Sequence, residues 1–232
     1  MRLAHRIGCP IDWFGHEFQL LADRGLYWPE HQMLLVADTH FGKEASFRAG
    51  AVPVPSGPTA STLEALRRMI DATEARQVLI LGDVFHARSS FADSIVDALD
   101  QFFDERQSTE FQAVLGNHDL RLAKSQRDAM IRRWRIGVSE KISLDGLTFQ
   151  HHPVDRNDPE WQRDGNLISG HLHPAVSVGD SQDRLGKLPC FWSYAKQLVL
   201  PAVGYFTGSH RIEPKPDDRI WVIADDEVVP FR

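Results

Sequence analysis

The chain has 232 residues, and its hydrophobic fraction of 42% and charged fraction of 25% are ordinary globular values that exclude disorder, collagen and coiled coil. No apolar run approaches the ~18 residues of a membrane span, and the start of the chain lacks a signal-peptide core, so we expect a cytoplasmic protein with no membrane partner. Two cysteines are too few for a disulfide framework, and the net charge of −6 argues against coating nucleic acid by bulk positive charge. The 11 histidines are many for this length.

The first half of the sequence predicts a parallel sheet with crossover helices. Weak alternation up to about Pro29 indicates one or two strands, and the stretch 41–58, rich in Gly and Pro, is expected to be a loop. Continuous apolar runs indicate buried strands at 33–37, 77–81 and 111–115. Amphipathic patterns indicate helices at about 59–72 and 90–105, the second with Ser90 as its cap. This order of elements is a βαβαβ unit.

The second half changes to short strands. A helix is expected near 125–134, followed by strands at 141–143, 147–151, 167–169 and 220–224. A second sheet packed on the first gives an α/β fold, a four-layer α/β/β/α sandwich. Because no internal repeat or linker is visible, residues 1–232 are expected to form a single domain.

Seven of the 11 histidines lie in five short polar motifs. In chain order these are DTH (38–40), GDVFH (82–86), GNHD (116–119), HHP (151–153) and GHLH (170–173). Each follows or ends a predicted strand, and open α/β sheets place their sites at the carboxyl ends of parallel strands. We therefore expect the motifs of both sheets to converge on one edge.

The side chains of these motifs are oxygen and nitrogen ligands for divalent metal ions. Asp38 and His40 are two residues apart at a strand end and are expected to leave it on the same side. Asp83 can bridge two ions about 3.5–4 Å apart. Asn117 offers a carbonyl oxygen, and the remaining candidate ligands, which are imidazoles, are His151, His171 and His173. This donor set without thiolate suits Mn, Fe or Zn and does not choose among them; we take Mn as the first expectation.

Two such ions against two carboxylates leave a net positive pocket that attracts phosphate and supplies hydroxide at neutral pH for in-line attack on phosphorus. His118 is next to Asn117 and points elsewhere if Asn117 faces the metal, which makes it the natural general acid for the leaving oxygen. His86 could orient or supplement His118, and Asp119 could hold the loop. The residues therefore predict metal-assisted hydrolysis of phosphoesters.

The ordered set of motifs resembles the calcineurin-like metallophosphoesterase superfamily, whose pattern is DxH, GD, GNH(D/E), H and GHxH. The resemblance implies an α/β/β/α sandwich and two metal sites. It assigns the first metal to Asp38, His40, Asp83 and His173, and the second to Asp83, Asn117, His151 and His171. It also favours His151 over His152, because the ligand of the fourth motif is usually the first residue of an H-x-P triplet.

Other stretches resemble one branch of the superfamily. Serine/threonine phosphatases end the second motif with an aspartate, whereas His86 occupies this position here, which is similar to the nuclease branch. The segments RGLYWP (24–29), ADTHFGK (37–43), SFR (46–48), LPCFW (188–192) and LPAVGYFTG (200–208) resemble the ligase-associated DNA-damage-response endonuclease family (PdeM). This resemblance covers almost the whole chain. It implies a bacterial cytoplasmic, metal-dependent phosphodiesterase or DNA endonuclease that acts in repair alongside a DNA ligase and a helicase.

Basic residues near the motifs are candidate substrate contacts. Lys43 and Arg48 follow the first ligand pair, and Arg121 follows the GNHD motif, although plain solvated charge is an equal alternative. Between residues 121 and 135, six basic residues face the single acid Asp128, a balance of +5 that is typical either of a phosphate-backbone track or of a solvated helix face. The aromatic residues between 189 and 194 could stack bases, but packing within the protein is favoured.

Three functions stay open at this point. His86, the basic segment and the resemblance favour an endonuclease acting on single-stranded or flexible DNA. The negative net charge and the lack of an appended DNA-binding module keep hydrolysis of small phosphoesters, such as cyclic nucleotides or nucleotide-sugar diphosphates, as an alternative. A weakly active metal-binding subunit of a repair complex is a second alternative, disfavoured because His118 is present.

Overall fold

The computed structural model describes residues 8–52, 54, 57–158, 165–179 and 184–231. His5, one of the histidines outside the motifs, lies outside these residues. The described chain forms two β-sheets and five α-helices, which confirms the predicted α/β fold class. The single-domain organisation stays a prediction.

The first sheet contains the predicted parallel strands. Its order follows the chain: β1 (Cys9–Trp13), β2 (His16–Leu20), β3 (Leu26–Trp28), β4 (Met33–Val36), β5 (Gln77–Leu81), β6 (Glu110–Val114) and β7 (Gly137–Ser139). Strands β1 to β4 pair antiparallel, and β4 to β7 pair parallel. From residue 8 onward the N-terminal stretch therefore forms three strands, where one or two were predicted.

The five helices follow strands of this sheet. They are α1 (Lys43–Ala49), α2 (Pro58–Thr73), α3 (Asp93–Glu105), α4 (Asn117–Arg121) and α5 (Lys124–Arg133). The predictions for α2 and α5 are confirmed within one residue at each end. Within the described residues no helix follows Arg133.

Two predictions about this half are wrong. The stretch 41–58 contains helix α1, which has only seven residues and no apolar stripe, so its sequence pattern resembles a loop. Ser90 does not cap α3, because the N-cap residue is Ala92 and Ser90 lies in a 3₁₀ turn, Arg88–Phe91, that precedes the helix. Ser90 has another role beside the candidate site, described below.

The second sheet is built from the short strands of the second half. They are β8 (Ile142–Leu144), β9 (Leu147–Phe149), β10 (Asn166–Ser169), β11 (Pro174–Gly179), β12 (Arg184–Tyr194), β13 (Gln197–Val199), β14 (His210–Arg211), β15 (Arg219–Ala224) and β16 (Glu227–Pro230). Their order is β14-β11-β12-β13-β10-β9-β8, with β15 also paired to β12 and to β16. Strand β10 runs parallel to both β9 and β13.

Alternating residues of the central strands face different cores. Leu34 and Ile80 pack with α2 and α3 on one face of the first sheet. Leu35 and Leu79 pack on the other face against the second sheet, including Phe149. Burial on both faces explains why these strands are continuous apolar runs. The outer face of the second sheet is lined by Val176, Cys190, Ile212, Ile220 and Val222.

Candidate metal centre

The carboxyl ends of the central strands lie side by side. Val36 pairs with Ile80, and Ile80 pairs with Ala113, so β4, β5 and β6 end at one edge of the first sheet. In the second sheet Ile168 pairs with Phe149, which aligns the ends of β9 and β10. This register brings the DTH, GDVFH, GNHD, HHP and GHLH motifs together, as the sequence predicted.

The backbone at most of the predicted ligands is not extended. Five of them have a positive φ: Asp38 (56°), His40 (45°), Asp83 (48°), His171 (71°) and His173 (48°). The expectation that Asp38 and His40 leave a strand on the same side is therefore wrong in its reason, since both follow the end of β4 in the left-handed region. Non-glycine residues in this region are strained, and such strain concentrates at functional sites.

The two buried carboxylates stand at the middle of the cluster. Asp38 Oδ1 is 3.5 Å from His173 Nε2, and Asp38 Oδ2 accepts a hydrogen bond of 2.8 Å from the backbone N–H of His171. Asp83 Oδ2 is 3.7 Å from His40 Nε2, and Asp83 Oδ1 is 3.6 Å from His151 Nε2. Asp83 thus lies between imidazoles from the two sheets, a position in which its two oxygens would be able to hold two ions.

Two histidines are oriented through their Nδ1 atoms. His151 Nδ1 is 3.0 Å from the carbonyl oxygen of Leu81, and His173 Nδ1 is 2.9 Å from that of Gly208. A carbonyl oxygen only accepts, so in the neutral ring Nδ1 carries the proton and Nε2 presents a lone pair. This second contact is the usual way in which proteins orient metal-binding histidines.

The atoms that meet here are mostly acceptors, which a divalent cation fits. His151 Nε2 lies 3.1 Å from Asn117 Oδ1 and 3.1 Å from His171 Nδ1. Asp38 Oδ1 is buried and accepts no hydrogen bond from the described residues. Ligand atoms of Asp38, His40 and His173 lie within 4.8 Å of one another, as do those of Asp38, Asp83 and His151. A bound cation would satisfy these buried lone pairs, so the residues present suit the metals that the motifs imply.

Burial keeps several of these imidazoles neutral, which is the form that binds metal. Burial and the positive charge of Lys43 lower the pKa of His40, and burial with the neighbouring His152 lowers the pKa of His171 to about 4. For His173 burial acts in the same direction, but the Asp38 carboxylate 3.5 Å away outweighs it and raises the pKa. Burial also raises the pKa of Asp83, and a bound cation would oppose this shift.

His118 and His86 stack beside this cluster, with ring centroids 4.7 Å apart. His118 Nδ1 lies 2.9 Å from the carbonyl oxygen of His86, which leaves Nε2 facing Asp83 Oδ2 at 4.0 Å. His86 Nδ1 is 3.4 Å from His40 Nδ1, and ligand atoms of His40, His86 and His118 also lie within 4.8 Å of one another. His118 therefore lies beside the cluster and is oriented by the carbonyl oxygen of His86, a residue that is not among the predicted ligands.

Asp119 and Ser90 hold the loops that carry these side chains. The buried carboxylate of Asp119 accepts backbone hydrogen bonds from Val84 (3.1 Å), Phe85 (2.9 Å) and Gly116 (3.0 Å). Burial raises its pKa to about 6, against the effect of these three bonds. Ser90 Oγ accepts from the backbone N–H groups of His86 and Ala87. Sequence reasoning missed this role of Ser90, although a polar residue four positions after a motif histidine was a usable signal.

Two motif glycines are required by close approach. A Cβ at Gly82 would collide with the ring of His151, and a Cβ at Gly116 would collide with the carboxylate of Asp83. The glycine of the GD motif thus makes room for the histidine of HHP, and the glycine of GNHD makes room for Asp83. These positions explain why the motifs combine glycine with ligands.

The predicted substrate contacts differ in their burial and in the groups around them. Lys43 begins α1 and is half-buried; burial lowers its pKa, while the negative charges of Asp83 and Asp38 oppose the shift. Arg48 is exposed in the last turn of α1, and its side chain has no hydrogen bond or ion pair with any described residue. Arg121 is exposed and lines a cavity with His86 and His118. Arg88 lines the same cavity and was missed by sequence reasoning, although it follows His86 by two residues.

Part of the basic segment is already paired. Arg133 forms a two-point ion pair with Asp100, and Arg127 lies near the backbone oxygen of Asp119 at 3.4 Å. Two of the aromatic residues between 189 and 194 already contact a neighbouring side chain, since the Arg156 guanidinium lies 4.7 Å from the ring of Tyr194 and 5.7 Å from that of Trp192. These contacts agree with packing rather than base stacking.

None of the described helices combines the length and the apolar character that a bilayer span requires.

Comparisons with known proteins identify the family to which the chain belongs. The family model of the calcineurin-like phosphoesterases matches residues 31–188. Among solved structures, the nuclease MPE of Pseudomonas putida is 29% identical, with 96% of this chain and 99% of that chain covered and a TM-score of 0.78. The E. coli phosphoesterase Yfce is 14% identical over 84% of this chain and 88% of that chain, with a TM-score of 0.38. No curated protein matches the sequence significantly. The chain belongs to the calcineurin-like phosphoesterase family and is a metal-dependent phosphoester hydrolase.

Proposed function

We propose that this hydrolase is a binuclear metal-dependent phosphodiesterase that cleaves single-stranded or flexible DNA. The observation that carries the proposal is the similarity to a nuclease over 96% of this chain, with 29% identity and a TM-score of 0.78. His86 at the end of the second motif supports it, because the same position distinguishes the nuclease branch in the resemblance described above.

The proposed metal ligands are the residues of the cluster. The first ion is assigned to Asp38, His40, Asp83 and His173, and the second to Asp83, Asn117, His151 and His171. Two divalent ions, with Mn tried before Fe and Zn, would supply Lewis-acid activation of the phosphate and of the attacking water. The converging acceptor atoms support these assignments, as does the buried Asp38 Oδ1, which accepts no hydrogen bond from the described residues.

His118 is the proposed general acid. Its Nδ1 proton is held by the carbonyl oxygen of His86, so Nε2 is the atom that exchanges a proton with substrate. The oxygen of a water adds to phosphorus while the bond to the leaving oxygen breaks, and that oxygen takes a proton from Nε2 of His118 protonated on both nitrogens. The proton that the attacking water gives up balances the step and restores His118. His86 stacks on His118 and limits its rotation, and Asp119 holds the loop between them. Lys43 and Arg121 are proposed to bind phosphate oxygens. Arg48, farther along α1, is proposed as a further substrate contact.

The test uses circular single-stranded DNA incubated with protein loaded with Mn, Fe or Zn. We expect at least one metal to support cleavage that converts the circle to linear DNA. We expect His118→Ala to lose most of this cleavage. A protein that holds two ions and leaves the circle intact under all three metals would overturn the proposal. A His118→Ala variant that cleaves like the wild type would overturn the assignment of the acid.

Hydrolysis of small phosphoesters is the second candidate, and the partial pairing of the basic segment favours it. Arg133 and Arg127 are held by Asp100 and by the Asp119 backbone, which weakens a continuous track for a DNA backbone. A side-by-side comparison of kcat/KM on DNA, a cyclic nucleotide and aryl mono- and diesters separates the two candidates. Highest kcat/KM on a cyclic nucleotide or nucleotide-sugar diphosphate would support the second.

A DNA ligase and a helicase in the cytoplasm are the proposed partners, on the strength of the sequence resemblance. Co-purification of either protein with the tagged chain from a bacterial lysate tests this. Co-purification without hydrolysis of any ester would favour the weakly active metal-binding subunit instead.

A further inference from the structure

A cavity of about 720 Å³ opens directly beside His118. Its lining includes His86, Arg88, His118, Arg121, Ser125 and Gln126. This volume lies within the range of small-ligand sites, about 300–1,000 Å³. The cavity lies between the 3₁₀ turn that follows GDVFH and the α4–α5 connection, so it adjoins the predicted acid rather than the metal ligands.

Two arginines, Arg88 and Arg121, line this cavity. Several arginines elsewhere pair with carboxylates: Arg67 with Glu105, Arg68 with Asp23, Arg106 with Asp71, Arg133 with Asp100 and Arg156 with Asp218. Neither Arg88 nor Arg121 has such a partner in the segments that the structure describes. The described lining of the cavity also contains no aspartate or glutamate. It is therefore a positively charged hollow whose guanidinium groups are free to bind an anion.

The position of the cavity identifies which part of a substrate would enter it. His118 protonates the leaving oxygen in the proposed mechanism, so the leaving group must lie against His118. The space on that side is this cavity. A second hollow shares Ala87, Arg88 and Gln126 with it and continues past Ala45 and Ala49 of α1, so Arg88 stands where the two hollows meet. Two joined hollows form an extended path, which suits a nucleotide chain better than a compact small molecule.

We propose that the cavity holds the nucleotide released by cleavage and that Arg88 and Arg121 bind the phosphate on its far side. The enzyme then prefers a phosphodiester that has a further phosphate on the leaving side over a diester that has none. The inference rests on the proposed function, because it takes His118 as the acid and a nucleotide chain as the substrate. Guanidinium groups bind phosphate by paired, charge-assisted hydrogen bonds, which supplies the preference.

The experiment compares three dinucleotides that share one diester: thymidylyl-thymidine, its form with a terminal 5′-phosphate and its form with a terminal 3′-phosphate. We expect one of the two phosphorylated forms to have a kcat/KM about tenfold above that of the parent, chiefly through KM. In Arg88→Gln/Arg121→Gln this advantage falls below about twofold. Arg76→Gln is the matched control, because Arg76 is exposed beside the amino end of β5, at the opposite edge of the same sheet. It should keep the full advantage.

Two results overturn the inference: a wild-type enzyme that gains nothing from either terminal phosphate, and a double variant that keeps the advantage. Calorimetric titration of the same dinucleotides into metal-free protein tests it without turnover. Binding should be about tenfold tighter for one phosphorylated form in the wild type and equal for all three in the double variant. If no diester is hydrolysed with any metal, the proposed function fails, and equal binding in the wild type then shows that the inference fails as well.

Discussion

The two halves of the candidate metal centre differ in which part of the fold supports them. Asp38, Asp83 and Asn117 follow neighbouring parallel strands, and the loops of two of them are held by Asp119, a residue of the same βαβαβ unit. His151 and His173 belong to the second half. Their rings are oriented by the carbonyl oxygens of Leu81 and Gly208, which are 70 and 35 residues away in sequence.

This difference separates two requirements of the site. The loops of Asp83 and Asn117 are held by contacts within the first sheet and its connections. The histidine half depends on the packing of the second sheet onto the first, since His151 reaches across to Leu81 and the His171 backbone reaches Asp38. We therefore expect changes in the two halves to affect metal binding and folding differently.

The largest effect is expected at the residue where the halves meet. Asp83→Asn removes a charge that lies 3.7 Å from His40 and 3.6 Å from His151, so both proposed ions lose a ligand. We expect kcat/KM to fall by at least about 10³-fold and the metal content to fall by at least one ion per chain. Elemental analysis and kinetics check this, with Asp97→Asn on the exposed side of α3 as control. A variant that keeps both ions and most activity would show that Asp83 does not bridge.

Removing the proton donor beside the carboxylate half is expected to lower activity without removing metal. His118→Ala should lower kcat by about 10²–10⁴-fold, the usual contribution of a positioned acid, and leave both ions in place. His210→Ala is the control, because His210 is exposed in β14. Loss of an ion from His118→Ala would instead make His118 a ligand, which its proximity to His40 allows as the competing interpretation.

The histidine half should respond to a residue that touches no proposed ligand. Gln197 is fully buried, and its Oε1 accepts from Val154 N at 2.7 Å while its Nε2 donates to Val154 O at 2.7 Å. These bonds hold the loop that begins at His151. Gln197→Ala should weaken metal affinity by 10–100-fold, the usual cost of losing support for a ligand, and lower the free energy of unfolding by about 1–3 kcal/mol. Metal titration and urea unfolding measure both, and unchanged affinity would restrict Gln197 to a structural role.

The smallest effect on activity is expected at Asp218, which supports the same loop from farther away. Burial opposes its charged form, but hydrogen bonds from Arg156, the Lys215 backbone and Trp192 outweigh burial and lower the pKa. Asp218→Asn should therefore lower the free energy of unfolding by about 1.5–3 kcal/mol at pH 7, with little change in kcat.

The pH dependence of that difference follows from the direction of the shift. A carboxyl with a depressed pKa stabilises the fold above its unfolded value near 4, and this stabilisation is lost as the pH falls through the folded pKa. The gap between wild type and Asp218→Asn should thus be full at neutral pH and shrink in acid. Urea unfolding at several pH values measures it, and a constant gap would contradict a role for the charge.

The comparison of the two halves also explains what sequence reasoning could reach. The strands β4, β5 and β6, the helix α2 and the order of the motifs were predictable, because apolar runs and helical periodicity are local patterns. Helix α1 was not predictable in this way, because seven residues without an apolar stripe look like a loop. The role of Ser90 was missed because a serine before a helix is usually a cap, whereas here it accepts the N–H groups of His86 and Ala87.

The sequence by itself determined the α/β fold class and the set of side chains available for metal-assisted phosphoester hydrolysis, because these follow from residue type and from spacing along the chain. Only the tertiary structure decided the left-handed backbone at Asp38 and Asp83, the orientation of His151 by Leu81, and the meeting of Arg88 and Arg121 in one cavity. The physical reason is that these features depend on contacts between distant segments. No local pattern records which carbonyl a ring will face or which charge will lack a partner.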